Sequence, residues 1–349
     1  MSDRRVPMQR RFLVIGCGSI GKRHIKNLRS LGMADVVAFD VRADRRREVT
    51  AELGIQAFDT LEEAWNCSPD AAVVTVPTSF HVPVALEAAL RRCHLFIEKP
   101  LSNKWSGIEP LLAIVKQNNL IGLNGCNMRF HPGLAMVKNL LDEEAVGRII
   151  AARVEVGQYL PDWHPWEDYR QSYSARGDLG GGVILDAIHE IDYVRWLVGE
   201  IVGATCLAGK LSTLDIETED TAAILTRFAN GAIGEVHLDY VQRAYSRTCQ
   251  IIGEEGTLRW DYTLGQVRWY SARTRQWQVF SNPAEWHPNH MYVDEMRHFL
   301  ACLDGEQTPT LDIFDAARVL QIALAVKQSA RQQCWIDIGS EHWNRNPTL

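Results

Sequence analysis

Four ionisable residues crowd one short stretch of this chain. Gly180-Gly181-Gly182 runs into an apolar-periodic segment carrying Asp186, His189, Glu190 and Asp192. If residues 183–197 form one helix, positions 186, 189, 190 and 193 share a face, because side chains three and four apart are neighbours. An imidazole flanked by carboxylates can move a proton, and its unperturbed pKa of about 6.5 suits that work at neutral pH.

The first third of the chain reads as the scaffold for such chemistry. A short apolar run, Arg11 to Ile15, meets Gly16-Cys17-Gly18-Ser19-Ile20-Gly21 and then a helix-compatible segment from Lys22. Strand, GxGxxG and helix in that order is the context of a dinucleotide site. Gly16 permits the tight turn, Gly18 lets backbone approach a pyrophosphate, and Gly21 lets helix pack on strand. The first helical amides, at Ser19 and Ile20, face the phosphates. Asp40 ends the next strand about 20 residues on, where a ribose-binding carboxylate is expected; it would repel a 2′-phosphate, favouring NAD over NADP. Arg42, two residues later, argues the other way, since it could stack on adenine or meet a phosphate. Strands then alternate with helix-like segments, which implies a parallel sheet. Pro77, Thr78, His81, Glu98 and Lys99 fall at the carboxyl ends of such strands, on the rim where ligands bind, and join the candidate cofactor contacts. A lone histidine such as His81 is more often structural.

Composition narrows the class. The chain has 349 residues, enough for two domains, with 46% hydrophobic and 23% charged residues, as in ordinary globular enzymes. A net charge of −6 makes no case for nucleic acid. No apolar run approaches the roughly 20 residues of a membrane span. The start, Met1 to Pro7, lacks a secretory core and reads as a frayed tail. Eight scattered cysteines show no metal-ligand spacing, so no zinc site is expected and free thiols in a reducing cytoplasm are the natural reading.

The remainder reads as a second domain. Residues 147–156 suggest a strand, and 160–178 an irregular, aromatic-rich insertion with Trp163, His164, Trp166, Tyr169 and Tyr173, just after Tyr159. Aromatic faces stack on sugar C–H faces, and Arg170 or Arg176 could grip an anion; equally, these aromatics could only pack the loop. Arg129, Tyr159, Trp163 and Arg170 are candidate substrate contacts beside Lys99, Asp186 and His189. From 221 onward, hairpin patterns predict a meander whose open face suggests a homodimer or homotetramer. Helices follow at 291–303 and 313–331.

In order along the chain, Gly16–Gly21, Pro77-Thr78-Ser79-Phe80-His81, Glu98-Lys99-Pro100 and the Gly180 triplet with Asp186, His189 and Asp192 resemble the glucose–fructose oxidoreductase/inositol dehydrogenase/rhizopine catabolism (Gfo/Idh/MocA) family, over residues 11–335. The resemblance implies an α/β fold: an N-terminal Rossmann domain, here 1–123, and a C-terminal α+β domain with a large open, mainly antiparallel sheet, here 124–349. Residues 313–335 are expected to pack back on the first domain. It implies NAD(P)-dependent oxidation or reduction of sugars, inositols or polyols, with Lys99, His189 and Asp186 catalytic and the Lys99–Pro100 bond often cis. The family spaces its acid and histidine as Asp-x-x-x-His; here Asp186 precedes His189 by one residue fewer, so either Asp186 or Glu190 would assist. Two other readings share these features: a relative that retains NAD and cleaves a glycosidic bond or eliminates without net redox change, and a non-catalytic NAD-binding sensor or scaffold.

Overall fold

The computed structural model describes residues 10–163, 165 and 167–339. The tail at 1–7, and His164 and Trp166 of the aromatic insertion, lie outside the described residues. The chain divides into two compact units. The first comprises Met1–Leu101, Gly107–Gly125 and Tyr292–Phe314; the second comprises Ser102–Ser106, Cys126–Met291 and Asp315–Leu349. The boundary expected at 123/124 therefore falls at Gly125/Cys126, and the chain crosses it more than once. The helix Ile313–Gln332 belongs from Asp315 onward to the second unit.

The first unit is built on six parallel strands: β1 (Phe12–Ile15), β2 (Val36–Phe39), β3 (Ala57–Phe58), β4 (Ala71–Val74), β5 (His94–Glu98) and β6 (Gly122–Gly125). Their order, β3-β2-β1-β4-β5-β6, is that of a Rossmann sheet. β1 and β4 are fully buried apolar runs, as parallel strands covered on both faces must be. Helices α1 (Ser19–Ser30), α2 (Ala43–Leu53), α3 (Leu61–Asn66), α4 (His81–Leu90) and α5 (Ile108–Gln117) make the crossovers. Thr60 starts α3 by accepting the Glu63 amide at 3.3 Å. The core of Phe12, Val14, Ile25, Leu28, Val73 and Phe96 is completed by Met296 and Phe299 from the helix Asn289–Leu303.

The second unit holds nine strands: β7 (Ile149–Gly157), β8 (Ile201–Gly209), β9 (Thr221–Phe228), β10 (Ile233–Asp239), β11 (Ser246–Gly253), β12 (Gly256–Asp261), β13 (Gln266–Ser271), β14 (Gln276–Ser281) and β15 (Ile336–Asp337). The order is β14-β13-β12-β11-β7-β10-β9-β8-β15. The pairing is antiparallel except between β7 and β10, which run parallel. In β9 and β10 alternate residues are buried, so one face packs inward and the other stays open. Helix α6 (Pro132–Asp142) precedes β7, its amino end capped by His131.

The acidic segment is not one helix. α7 (Val183–Asp186) stops, Ala187 steps out at φ −91° and ψ 31°, and α8 (Ile188–Val198) begins afresh. The break falls within the shortened Asp-to-His spacing, so Asp186 does not share a continuous helical face with His189 and Glu190. Gly182 before α7 has φ +106°, and a Cβ there would lie 2.5 Å from the Glu219 carboxylate, so the glycine is needed.

Candidate active site

The candidate cofactor residues lie on the rim of the six-stranded sheet. Gly16, at φ +104°, turns the chain out of β1, and a Cβ on it would lie 2.7 Å from the Thr75 carbonyl oxygen. A Cβ on Gly21 would stand 1.9 Å from the Gly16 oxygen, so both positions require glycine. Among the described residues, a Cβ on Gly18 would meet only the Arg45 guanidinium, at 3.7 Å. The first bond inside α1 runs from the Lys22 amide to the Gly18 carbonyl at 2.9 Å. The amides of Ser19, Ile20 and Gly21 therefore precede it, as a phosphate cradle requires.

Asp40 ends β2 buried, accepting the Cys17 amide at 2.7 Å and the Arg42 amide at 2.8 Å. A carboxylate fixed against the glycine loop fits the ribose of NAD, so the loop, the helix start and the acid together match that cofactor. The Arg42 guanidinium is exposed and bonds Asp44. Arg45, which the sequence reading passed over, lies 3.6 Å from Asp40 and beside Gly18. Only the helical turn after Asp40 brings it there, a signal visible in the spacing of an arginine five residues past the acid.

The other rim residues divide. Pro77 is exposed and Thr78 is buried in the turn after β4. Glu98, at the end of β5, is turned onto His24 of α1 at 2.7 Å, both side chains buried, so it fastens helix to strand. His81 is also buried, each ring nitrogen on a backbone carbonyl. Lys99 follows Glu98 half-buried, and its peptide bond to Pro100 is cis.

In the second unit each carboxylate of the opening stretch has a partner. Asp186 accepts hydrogen bonds from Tyr173 Oη, from Ser174 Oγ at 2.7 Å and from Tyr240 Oη at 3.0 Å. Burial, with the Asp186 charge beside it, holds the Tyr240 phenol well above its ordinary pKa, so it stays a donor. Glu190 is paired with Arg247 and Asp192 with Arg129. With the three carboxylates so engaged, the proton-transfer candidacy rests on His189, 8% exposed on α8.

Two expected substrate contacts are paired with acids. Arg129 meets Asp192 at 2.6 and 3.0 Å and Asp315 at 3.2 Å, with 8% exposure. Arg170 is exposed and clasps Asp168, two residues away, as Arg176 clasps Asp178. Tyr159 lies 3.6 Å under the Arg243 guanidinium, and Trp163 stands edge-on to Tyr240 at 5.3 Å. The insertion thus reaches Asp186 through Tyr173, Ser174 and the Trp163–Tyr240 contact, which the sequence alone left even between packing and binding.

Two family models match: an oxidoreductase family with an NAD-binding Rossmann fold over residues 10–125, and a Gfo/Idh/MocA C-terminal domain over 134–259. The chain is 26% identical over 339 residues to a myo-inositol 2-dehydrogenase of Thermotoga maritima, covering 93% of this chain and 97% of that protein. It is 30% identical over 260 residues to inositol 2-dehydrogenase 3 of Saccharopolyspora erythraea, covering 70% and 71%. Its fold matches that of a levoglucosan dehydrogenase solved with NADH and levoglucosan, with a TM-score of 0.86, 22% identity and coverage of 95% and 99%. Sheet order, glycine loop and family models agree: the chain belongs to the Gfo/Idh/MocA family of oxidoreductases, with an NAD-binding Rossmann domain.

Proposed function

We propose that the protein transfers a hydride between NAD and a CH–OH carbon of a sugar or polyol, with Lys99 and His189 handling the oxygen. The observation that carries the reading is that Lys99 directly follows β5 on the same rim as the glycine loop and Asp40. NAD, when bound, supplies the carbon that accepts the hydride. The amides of Ser19 to Gly21 hold phosphate, and Asp40 accepts from the ribose hydroxyls. Lys99 Nζ donates to the reacting oxygen and steadies its negative charge. His189 takes the hydroxyl proton during oxidation and returns it during reduction. Asp186, held by three hydroxyls, is a fixed charge that orients the substrate side of the site.

The substrate class follows the relatives, which are named for inositols and levoglucosan. Oligomerisation is assigned to the open face of the nine-stranded sheet. There a depression of about 720 Å³ is lined by Arg153, Glu155, Leu207, Leu225, Glu235 and His237. Leu207 and Leu225 are 74% and 53% exposed, apolar surface that a second copy would cover. Eight cysteines outside any disulfide suit a reducing cytoplasm.

A screen of inositols, anhydrosugars and sugar acids with NAD tests this reading through net NADH formation. Net NADH with at least one polyol or sugar is expected. Tightly retained NAD, with bond cleavage and no net NADH, would replace it with the non-redox reading.

A further inference from the structure

β4 and β5 pair as far as Val74 and Ile97, and beyond that rung the two chains separate. One side chain spans the gap. His81, 2% exposed at the start of α4, sets Nδ1 2.7 Å from the Pro100 carbonyl oxygen and Nε2 2.8 Å from that of Val76. Val76 follows β4, and Pro100 is bonded directly to Lys99 after β5. The ring therefore stands where the ladder's next rungs would have been.

Both contacts are of hydrogen-bond length, and a neutral imidazole donates through only one nitrogen. Satisfying both carbonyls takes two N–H groups. Burial is the largest influence and, with Lys99, lowers the ring's pKa below its ordinary value against the two carbonyl acceptors and the Glu98 carboxylate, which raise it. In either form both nitrogens face backbone within the protein. The ring has no nitrogen turned to a cofactor or substrate, contrary to its expected place among the cofactor contacts.

We propose that His81 is a positioning residue for Lys99: by bracketing the Val76 and Pro100 carbonyls it fixes the backbone that aims the Lys99 ammonium. This rests on the role given to Lys99 above. The bond to Pro100 carries most of the effect, because that carbonyl adjoins Lys99 while Val76 lies on the neighbouring strand's end.

The two bonds can be separated. In His81→Asn the amide nitrogen lies near the Nδ1 position and can still reach Pro100. In His81→Gln it lies near Nε2 and reaches only Val76. The measurements are turnover with myo-inositol or levoglucosan, whichever the protein oxidises, NADH affinity by fluorescence, and thermal stability.

His81→Ala is expected to lower kcat on the order of 100-fold, the scale set by misplacing a reacting group by about 1 Å, with NADH affinity held within about twofold. His81→Asn should recover most of the rate and His81→Gln little of it. Added to Lys99→Ala, His81→Ala should cost nothing further, since both act through one group. Equal rates in folded His81→Asn and His81→Gln, or the same loss from His81→Ala with and without Lys99, would overturn the proposal. Undiminished turnover in Lys99→Ala overturns both this inference and the reading it rests on; a dead Lys99→Ala with an additive His81 effect overturns this inference alone.

Discussion

Glu190 is gripped by Arg247 through two hydrogen bonds, Nε to Oε1 at 2.7 Å and Nη2 to Oε2 at 3.2 Å. The Glu190 side chain is fully buried and that of Arg247 is 14% exposed. The pair joins α8 to β11, and the acid that sequence spacing offered as an assistant to His189 is a structural anion. Glu190→Ala leaves a guanidinium buried without its counter-charge, which costs about 3–5 kcal/mol. Urea unfolding should show that loss, and Glu190→Ala with Arg247→Met should restore part of it. A stable Glu190→Ala protein with abolished turnover would instead place Glu190 in the chemistry.

Stability should also fall in mild acid, through His131. This ring is buried among Trp260, Tyr262 and Trp286, and its Nδ1 accepts the Gly133 amide at 2.9 Å. Burial first, and then the Arg247 charge, lower its pKa from 6.5 to about 3. Between those values the unfolded chain binds a proton that the folded chain refuses. The contribution is therefore complete above about pH 6.5 and shrinks as pH falls, by about 2 kcal/mol at roughly pH 5. His131→Asn keeps an acceptor for the cap and removes the titration. Its unfolding free energy should vary less between pH 7 and pH 5 than that of the parent, and an unchanged difference would contradict the assignment.

Asp40 governs cofactor choice in this account. Asp40→Ser removes the ribose-binding carboxylate and the repulsion of a 2′-phosphate, while Arg45 stays 3.6 Å from the site of the lost charge. Losing charge-assisted hydrogen bonds should weaken NAD about tenfold to 100-fold. NADP should gain, and Arg45→Ala in the same background should abolish the gain. Competition titrations of both dinucleotides check this; NADP affinity indifferent to Arg45 would remove that residue from the cofactor site.

What could be read from the chain was what is encoded locally. Gly16 to Gly21 sit between a strand and a helix in a few consecutive residues, and the strand–helix alternation around them needs no distant information. The hairpins β9–β10, β11–β12 and β13–β14 were legible for the same reason, each closed by a short turn. The long-range partners were not. Asp192 looks like a member of an acidic cluster until Arg129, 63 positions upstream, arrives beside it. Asp186 looks like a neighbour of His189 until Tyr240, 54 positions downstream, and Ser174 take its oxygens and the helix breaks at Ala187. Arg42 and Arg45 are both near Asp40 in sequence, and only the turn of α2 decides between them. Side-chain pairing across a sheet or between helices leaves no periodicity to detect, so the block read as one helical face is an imidazole set among carboxylates that each hold a distant partner.

The central claim is that Lys99 and His189 act on the reacting oxygen while the glycine loop and Asp40 hold NAD. It is tested most directly by Lys99→Ala and His189→Ala, each assayed for NADH formation with an oxidised polyol and, separately, for NADH affinity by fluorescence. The account predicts that kcat falls at least on the order of 100-fold in each, the usual share of a positioned proton-transfer group, with cofactor affinity within about threefold of the parent. Turnover unchanged in both variants would contradict it.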